Sequence, residues 1–132
     1  MFFATLDIRR DDYDFAVGRQ MLAVWRRAAD MLLHGDYYEL TPFSKSAAEW
    51  VAWQFERPEE GRGLVQAIRL QECEQESLTV RPRALRPETR YVFENAETGE
   101  KLEMTGEDLI RDGLTFRLPR RSGAIWFYHQ FE

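Results

Sequence analysis

The stretch that decides the fold is Trp50-Val-Ala-Trp-Gln-Phe55, which is followed after a short polar segment by Leu64-Val-Gln-Ala-Ile-Arg69. Aromatic and β-branched side chains fill both stretches, as is typical of strands in a largely buried sheet. The segment between them contains Pro58, Gly61 and Gly63 among charged residues, which favours a turn. We therefore predict a central antiparallel hairpin.

Each arm of this hairpin has one polar interruption, Gln54 in the first and Gln66 in the second. Because successive side chains on a strand point to opposite faces, we expect each arm to have one buried face and one partly hydrated face. Neither arm contains an obvious catalytic residue, so we expect the hairpin to serve the fold.

Length and composition predict one globular domain. A chain of this size buries roughly two-thirds of its unfolded surface, and 44% hydrophobic residues can fill a dense core. The formal net charge of -5 makes a nucleic-acid partner unexpected, since no basic excess is available to neutralise phosphates. No apolar run is long enough to cross a bilayer, so we expect no membrane partner.

The expected location is the cytoplasm. Asp7, Arg9 and Arg10 follow the short apolar start too closely for a signal peptide. The single cysteine, Cys73, excludes an internal disulfide and suits a reducing compartment.

One amphipathic helix is predicted near the start of the chain, from Asp14 to about Leu33. Aspartates at its beginning can accept the free N–H groups of the first turn, and Gly35 is the expected stop. The residues Met1 to Ile8 form a short apolar segment that we interpret as a strand. The helix is recognised by apolar residues at spacings of three and four: Met21, Trp25, Ala28 and Leu32.

After Gly35 the sequence changes to short β-type runs separated by turn residues about every ten positions, the pattern of an antiparallel sandwich. A hairpin turn is predicted at Glu97-Thr-Gly-Glu100 and one helical turn at Leu109–Asp112. The predicted fold class is mostly β: an antiparallel Greek-key β-sandwich of about eight strands, preceded by one amphipathic N-terminal α-helix. The predicted strands are Tyr37–Leu40, Ala48–Phe55, Leu64–Leu70, Ser77–Pro82, Arg90–Glu94, Lys101–Met104, Leu114–Leu118 and Ala124–Phe131.

The helix has no evident apolar partner, because such a sandwich would mostly satisfy itself. Either the helix docks on one sheet face or its partner lies outside this chain. An unpaired apolar helix face also favours self-association through Phe15–Leu33, which would make the chain a homo-oligomer.

Neighbouring carboxylates occur at Asp11 and Asp12 and again at Glu59 and Glu60. The two carboxylates of a glycosidase must face each other across a bond at roughly 5–9 Å. Adjacent acids at a helix start or in a hairpin turn point apart, so we interpret these as helix-capping and turn residues.

Metal and cofactor sites are not expected. The two histidines, His34 and His129, and the single Cys73 show none of the spacings of a metal site. A glycine-rich phosphate loop is missing as well. Acidic neighbours on both sides of Cys73 make it a poor nucleophile.

Aromatic residues suggest the one alternative binding function. The indole rings of Trp50, Trp53 and Trp126 could form an exposed platform on which a sugar stacks, as in a carbohydrate-binding module. Aromatic residues also dominate the cores of β-sandwiches, and we favour that packing role.

Four segments of the chain are informative when read together: Asp36-Tyr-Tyr-Glu-Leu-Thr-Pro42, Trp50-Val-Ala-Trp-Gln-Phe-Glu-Arg-Pro58, Gly61-Arg-Gly-Leu-Val-Gln-Ala67 and Tyr91 through Glu100. In order and spacing they resemble the C-terminal part of bacterial α-galactosidases of glycoside hydrolase family 36. The resemblance extends over nearly the whole chain. It departs at Ala84-Leu-Arg-Pro87, where the family has a Gly-Leu-Asp-Pro-like turn, and at the acidic Leu70–Glu74.

The resemblance implies an architecture. In these enzymes a (β/α)8 barrel follows a large N-terminal β domain and precedes a C-terminal antiparallel β-sandwich. Residues 1–35 would be the last segment and helix of that barrel, and residues 36–132 would be the sandwich. The enzymes remove terminal α-D-galactosyl groups with retention, using two barrel aspartates upstream of this segment. No residue here matches either aspartate motif, so the resemblance implies no catalytic residue, and the chain alone is predicted to be inactive.

Three functional hypotheses remain open. The first is a non-catalytic C-terminal module that supports the stability or assembly of an α-galactosidase-like hydrolase, with the catalytic barrel as its partner. The second is a carbohydrate-binding module that uses the aromatic platform. The third is a self-association module that acts through the N-terminal helix.

Overall fold

The computed structural model describes residues 9–131. The mostly β, antiparallel class and the long N-terminal helix are confirmed, and every strand begins and ends within two residues of its predicted bounds. The predicted strand at Met1 to Ile8 lies outside the described residues. The elements are α1 (Phe15–His34), β1 (Asp36–Glu39), β2 (Trp50–Arg57), β3 (Arg62–Arg69), β4 (Ser77–Val80), β5 (Arg90–Asn95), β6 (Lys101–Thr105), α2 (Gly106–Arg111), β7 (Leu114–Arg117) and β8 (Ser122–Phe131).

The strands form two antiparallel sheets of unequal size. The large sheet has six strands in the order β1-β2-β3-β8-β5-β6, and the small sheet pairs β4 with β7. The last strand, β8, lies in the middle of the large sheet, where Trp126 is opposite Val65 of β3 and Tyr128 is opposite Phe93 of β5. The centre of the sheet therefore joins distant parts of the chain.

The predicted central hairpin is confirmed. Strands β2 and β3 pair in register from Trp50 opposite Arg69 to Arg57 opposite Arg62. The turn closes with a hydrogen bond from the Glu60 N–H to the Arg57 carbonyl at 3.0 Å, and Gly61 takes a φ of +58° that favours glycine.

One face of the large sheet, which we call the closed face, packs against β4, β7 and α2. Its core side chains come from all of these elements and are almost entirely inaccessible to solvent. Leu109 of α2, for example, is buried together with Phe93 of β5 and Phe116 of β7. Thr105 caps α2, and its hydroxyl accepts from the Asp108 N–H at 3.1 Å. The helix begins at Gly106, three residues before the predicted helical turn.

The opposite face, which we call the helix face, carries α1. Ala28 and Met31 of α1 are buried against Leu64 of β3 and Phe127 of β8. Of the two alternatives for the helix, docking on a sheet face is therefore the one observed, although it covers only part of the helix.

The ends of α1 follow the prediction from its flanking residues. The Asp14 carboxylate accepts hydrogen bonds from the N–H groups of Ala16 and Val17, at 2.9 and 3.1 Å. At the other end Gly35 is required by space, because a Cβ there would lie 2.9 Å from the carbonyl oxygen of Glu56.

Candidate functional site

The first half of α1 is an apolar surface open to solvent. Val17, Met21 and Trp25 expose 52%, 63% and 42% of their surface, and Phe15 and Leu22 are about as exposed. We call these five residues the open end of α1. The residues of α1 that are fully buried, Ala28 and Met31, both belong to its second half.

The open end continues the stripe that docks on the sheet. Residues four or seven apart share a helix face. Val17 therefore lies in line with Met21, and Met21 lies in line with the buried Ala28. Along this stripe Val24 is partly buried, and Ala28 and Met31 are fully buried where the helix lies over the sheet. At roughly 150–250 Å² for a large apolar side chain, the open end exposes on the order of 500 Å² of apolar surface, near the upper limit for one patch on a monomer.

Charged side chains hold the second half of α1 on the sheet. Asp30 accepts hydrogen bonds from Arg57 Nη1 at 2.9 Å and from Arg62 Nη2 at 2.6 Å. On the other side, Arg27 donates to Glu94 at 2.7 Å and lies 4.1 Å above the centre of the Phe127 ring. These contacts fix the direction of the helix and therefore the position of its open end.

The predicted sugar-stacking residues are not brought together on one surface. Trp50 and Trp126 are 5% and 7% exposed and belong to the closed-face core, and the Trp50 indole N–H donates to the Gln75 carbonyl at 2.9 Å. The predicted exposed platform is therefore wrong for Trp50 and Trp126, because both rings are buried. Trp53 is partly exposed on the helix face, and a sugar-binding role for it remains a prediction.

The neighbouring carboxylates do not form a catalytic pair. In the hairpin turn, Glu59 binds Arg57 at 2.6 Å and Glu60 binds Arg62. Near the helix start, Asp12 pairs with Arg10, and this hydrogen bond lowers the pKa of the Asp12 carboxyl. Each of these acids is exposed and paired with an arginine.

Metal ligands do not cluster anywhere between residues 9 and 131. His34 lies 3.3 Å from Asp30 at the end of α1, and His129 is exposed on β8. Cys73 is buried in the closed-face core, where its Sγ lies 3.6 Å from the Gln75 carbonyl oxygen.

Sequence reasoning missed a buried polar network beneath β2. Gln54 lies on the buried face, and its side-chain N–H groups donate to the Tyr128 hydroxyl at 2.8 Å and to Glu56 at 3.3 Å. Its side-chain oxygen accepts from the Arg83 main-chain N–H at 2.7 Å. The sequence did contain a signal for this network. Gln54 and Glu56 follow Trp50 and Ala52 at spacings of two along the strand, so all four side chains must lie on the same face.

Glu56 is the one strongly perturbed carboxyl group in this network. Burial, and secondarily the negative charge of Asp36, raises the pKa of Glu56 to about 7. Burial also raises the pKa of the neighbouring Tyr128 hydroxyl. Glu56 and Asp36 face the same side of adjacent strands, but Asp36 is exposed whereas Glu56 is only 3% exposed, so the two do not form an open carboxylate pair.

Comparison with known proteins gives a clear result for the fold. No family model and no curated sequence matches the chain. Among solved structures, the GH36 α-galactosidase AgaA of Geobacillus stearothermophilus superposes with a TM-score of 0.71 at 20% identity, over 96% of this chain and 17% of its own. This chain has the fold of one segment of those enzymes.

Two further α-galactosidase structures agree. The enzyme from Lactobacillus brevis matches with a TM-score of 0.70 at 13% identity, and the galactosidase domain of the α-galactosidase-sucrose kinase AgaSK with 0.66 at 20%. This chain spans only 15% to 18% of the length of these structures. No helix in residues 9–131 has the length and apolar character needed to cross a membrane.

Proposed function

We propose that this chain is a non-catalytic C-terminal β-sandwich module of an α-galactosidase-like glycoside hydrolase and that it supports the stability or assembly of that enzyme. The observation that carries the proposal is the open end of α1, an apolar helix surface on a domain whose fold recurs within much longer α-galactosidases. Such a surface is expected where another domain packs.

The partner we propose for the open end is the catalytic (β/α)8 barrel of the same enzyme. In the α-galactosidases of similar fold, more than four-fifths of the chain lies outside the matched segment. Residues 1–35 would form the end of the barrel, and residues 36–132 would form the sandwich. The ion pairs of Asp30 and Arg27 would then hold the last barrel helix to the sandwich.

The substrate class follows by analogy. Structures of the Geobacillus stearothermophilus enzyme hold raffinose and stachyose, which supports terminal α-galactosides as substrates of the proposed parent. The neighbouring acids Asp12, Glu59 and Glu60 are paired with arginines and Glu56 is buried, so we assign none of them a catalytic step. The single cysteine, which leaves this chain no internal disulfide to form, supports a cytoplasmic location.

Two measurements test this function. The purified chain should cleave no aryl α-galactoside, and turnover that persists after repeated purification would contradict the proposal. The genomic DNA upstream should encode, in the same reading frame, a barrel with two catalytic aspartates. An unrelated gene at that position would remove the proposed partner.

If the chain self-associates tightly, the partner of the open end is a second copy of the chain and not the barrel. Sedimentation over a range of concentrations should show weak pairing at most, and substitution of Met21 by Asp should abolish it. A tight dimer that this substitution disrupts would identify a second copy as the occupant of the open end.

Carbohydrate binding can be tested at Trp53. Galactose oligosaccharides are titrated into the unmodified chain and into a Trp53→Phe variant while Trp fluorescence is followed. A saturable change in the unmodified chain that is missing from the variant would replace the structural hypothesis with the binding-module hypothesis.

A further inference from the structure

Glu56 is a buried carboxyl group that has no cationic partner in the part of the chain that the structure describes. It is 3% exposed, and the side-chain hydrogen bond it accepts, from Gln54, is long at 3.3 Å. Among residues 9–131, the ion pairs of this part of the molecule engage Arg57 and Arg62, and none engages Glu56. A buried negative charge in this position is costly, because neither water nor a cation compensates it.

The site lies where the edge strand β1 joins the sheet. Asp36 of β1 is the register partner of Glu56, and both side chains face the same side, so two carboxylates meet across the strand pair. Strand β1 has only four residues and, within residues 9–131, has a neighbour on one side only. Gly35 connects it directly to α1 and packs against the Glu56 main chain.

The groups that face Glu56 bring no positive charge. At the end of α1, Asp30 and His34 lie toward Arg57 and Arg62 on the opposite side of the sheet. The polar and titratable groups on the Glu56 side are Asp36, Tyr38, Gln54, Tyr128 and the main chain of Arg83.

We propose that β1 is a pH-sensitive strap, which pairs with β2 while Glu56 is protonated and detaches from the sheet edge, loosening α1, when Glu56 loses its proton. Movement of β1 away from the sheet edge would return water to the charge created at Glu56. Detachment also separates it from Asp36. Because the strap joins α1 to the sheet through Gly35, its release removes one link at the C-terminal end of the helix and leaves the ion pairs of Asp30 to hold it.

The raised pKa of Glu56 sets the direction in which pH changes the pairing of β1. The folded chain raises the pKa of Glu56 from 4.5 to about 7. The strap is therefore tightest at or below pH 4.5, weakens as the pH rises toward 7 and changes little above it.

Nuclear magnetic resonance of the isolated chain tests the strap and does not depend on the proposed function. The carboxyl ¹³C shift of Glu56 reports its proton, and amide exchange reports the pairing of Tyr38 and Leu40, whose N–H donates to the Ala52 carbonyl at 3.0 Å. Corrected for the intrinsic pH effect, protection of these amides should fall up to about tenfold per pH unit between pH 5 and 7. Amides of β8 should keep their protection.

Two variants make the test specific. Glu56→Gln should keep β1 protected equally at pH 5 and pH 8, whereas His34→Gln should retain the pH dependence of the unmodified chain. If Glu56→Gln fails to fold, Asp36→Asn should still move the Glu56 titration to lower pH. The strap is overturned if Glu56 titrates as an ordinary carboxyl, if Glu56→Gln keeps the pH dependence, or if β8 loses protection together with β1.

Discussion

The two faces of the six-stranded sheet are built from the same strands and are covered very differently. On the closed face, β4, β7 and α2 bury a continuous core that includes Phe93 and Phe116. On the helix face, one helix buries a small cluster around Leu64 and Phe127 and then extends beyond it. The contrast shows that the closed face is stabilised within this chain, whereas the helix face leaves apolar surface exposed.

The two faces also differ in the interactions that stabilise them. Apolar packing dominates the closed face, where the buried Arg69 guanidinium donates to the Cys73 and Leu118 carbonyls and so joins a loop to the end of β7. The helix face depends on charged pairs at its rim, above all those of Asp30. Its stability should therefore respond to salt, and that of the closed face should not.

The largest expected effect compares one phenylalanine from each face. Phe93→Ala should lower the free energy of unfolding by about 3–5 kcal/mol, because the closed core cannot collapse around the cavity. Phe127→Ala should cost less, since α1 can shift toward the gap. Urea unfolding measures both, and equal losses would mean that the two faces are equally well packed.

The next effect concerns the pH dependence contributed by Glu56. The raised pKa should remove about 3 kcal/mol of stability as the pH rises from 4.5 to about 7, at roughly 1.4 kcal/mol per pKa unit. Glu56→Gln removes this contribution, so the variant should gain stability relative to the unmodified chain at pH 8 but not at pH 4. A constant difference across this range would contradict a buried, perturbed carboxyl.

Two methionines on α1 give a matched pair within the helix face. Met31 is buried and Met21 is exposed, so Met31→Ala should cost about 2–3 kcal/mol and Met21→Ala less than about 0.5 kcal/mol. Thermal unfolding followed by circular dichroism compares them directly. A comparable loss at Met21 would show that the open end is already packed within the chain.

The smallest effect is at the charged rim. Asp30→Asn should cost about 1 kcal/mol at low salt, because the pairs are partly exposed, and the cost should shrink in 1 M NaCl. Asp12→Asn, which breaks the fully exposed pair with Arg10, is the control and should change nothing measurable. A salt-independent loss at Asp30 would point to packing in place of charge.

Local features of the fold could be predicted from the sequence. The three-and-four spacing of Met21, Trp25 and Ala28 predicted the helix, and the aromatic and β-branched residues of Trp50–Phe55 predicted the central strand. Such patterns involve residues that are close in sequence, so they can be recognised without the structure.

The layout of the faces could not be predicted in the same way. Whether Trp50 and Trp126 are buried depends on which side of the sheet β4 and β7 cover, and that is set by contacts between distant strands. The predicted departure at Ala84–Pro87 coincides with an unusual conformation, because Ala84 takes a φ of 60°, which favours glycine. The extent of the open end depends on where the sheet ends beneath α1.

The difference between the faces is tested most directly by native-state hydrogen exchange of the isolated chain at single-residue resolution. Amides in the first half of α1 should be at least about a hundredfold less protected than those of Val65 and Trp126 in the centre of the sheet. If the first half of α1 is as strongly protected as β3 and β8, the helix face is complete in this chain and no partner is needed to cover it.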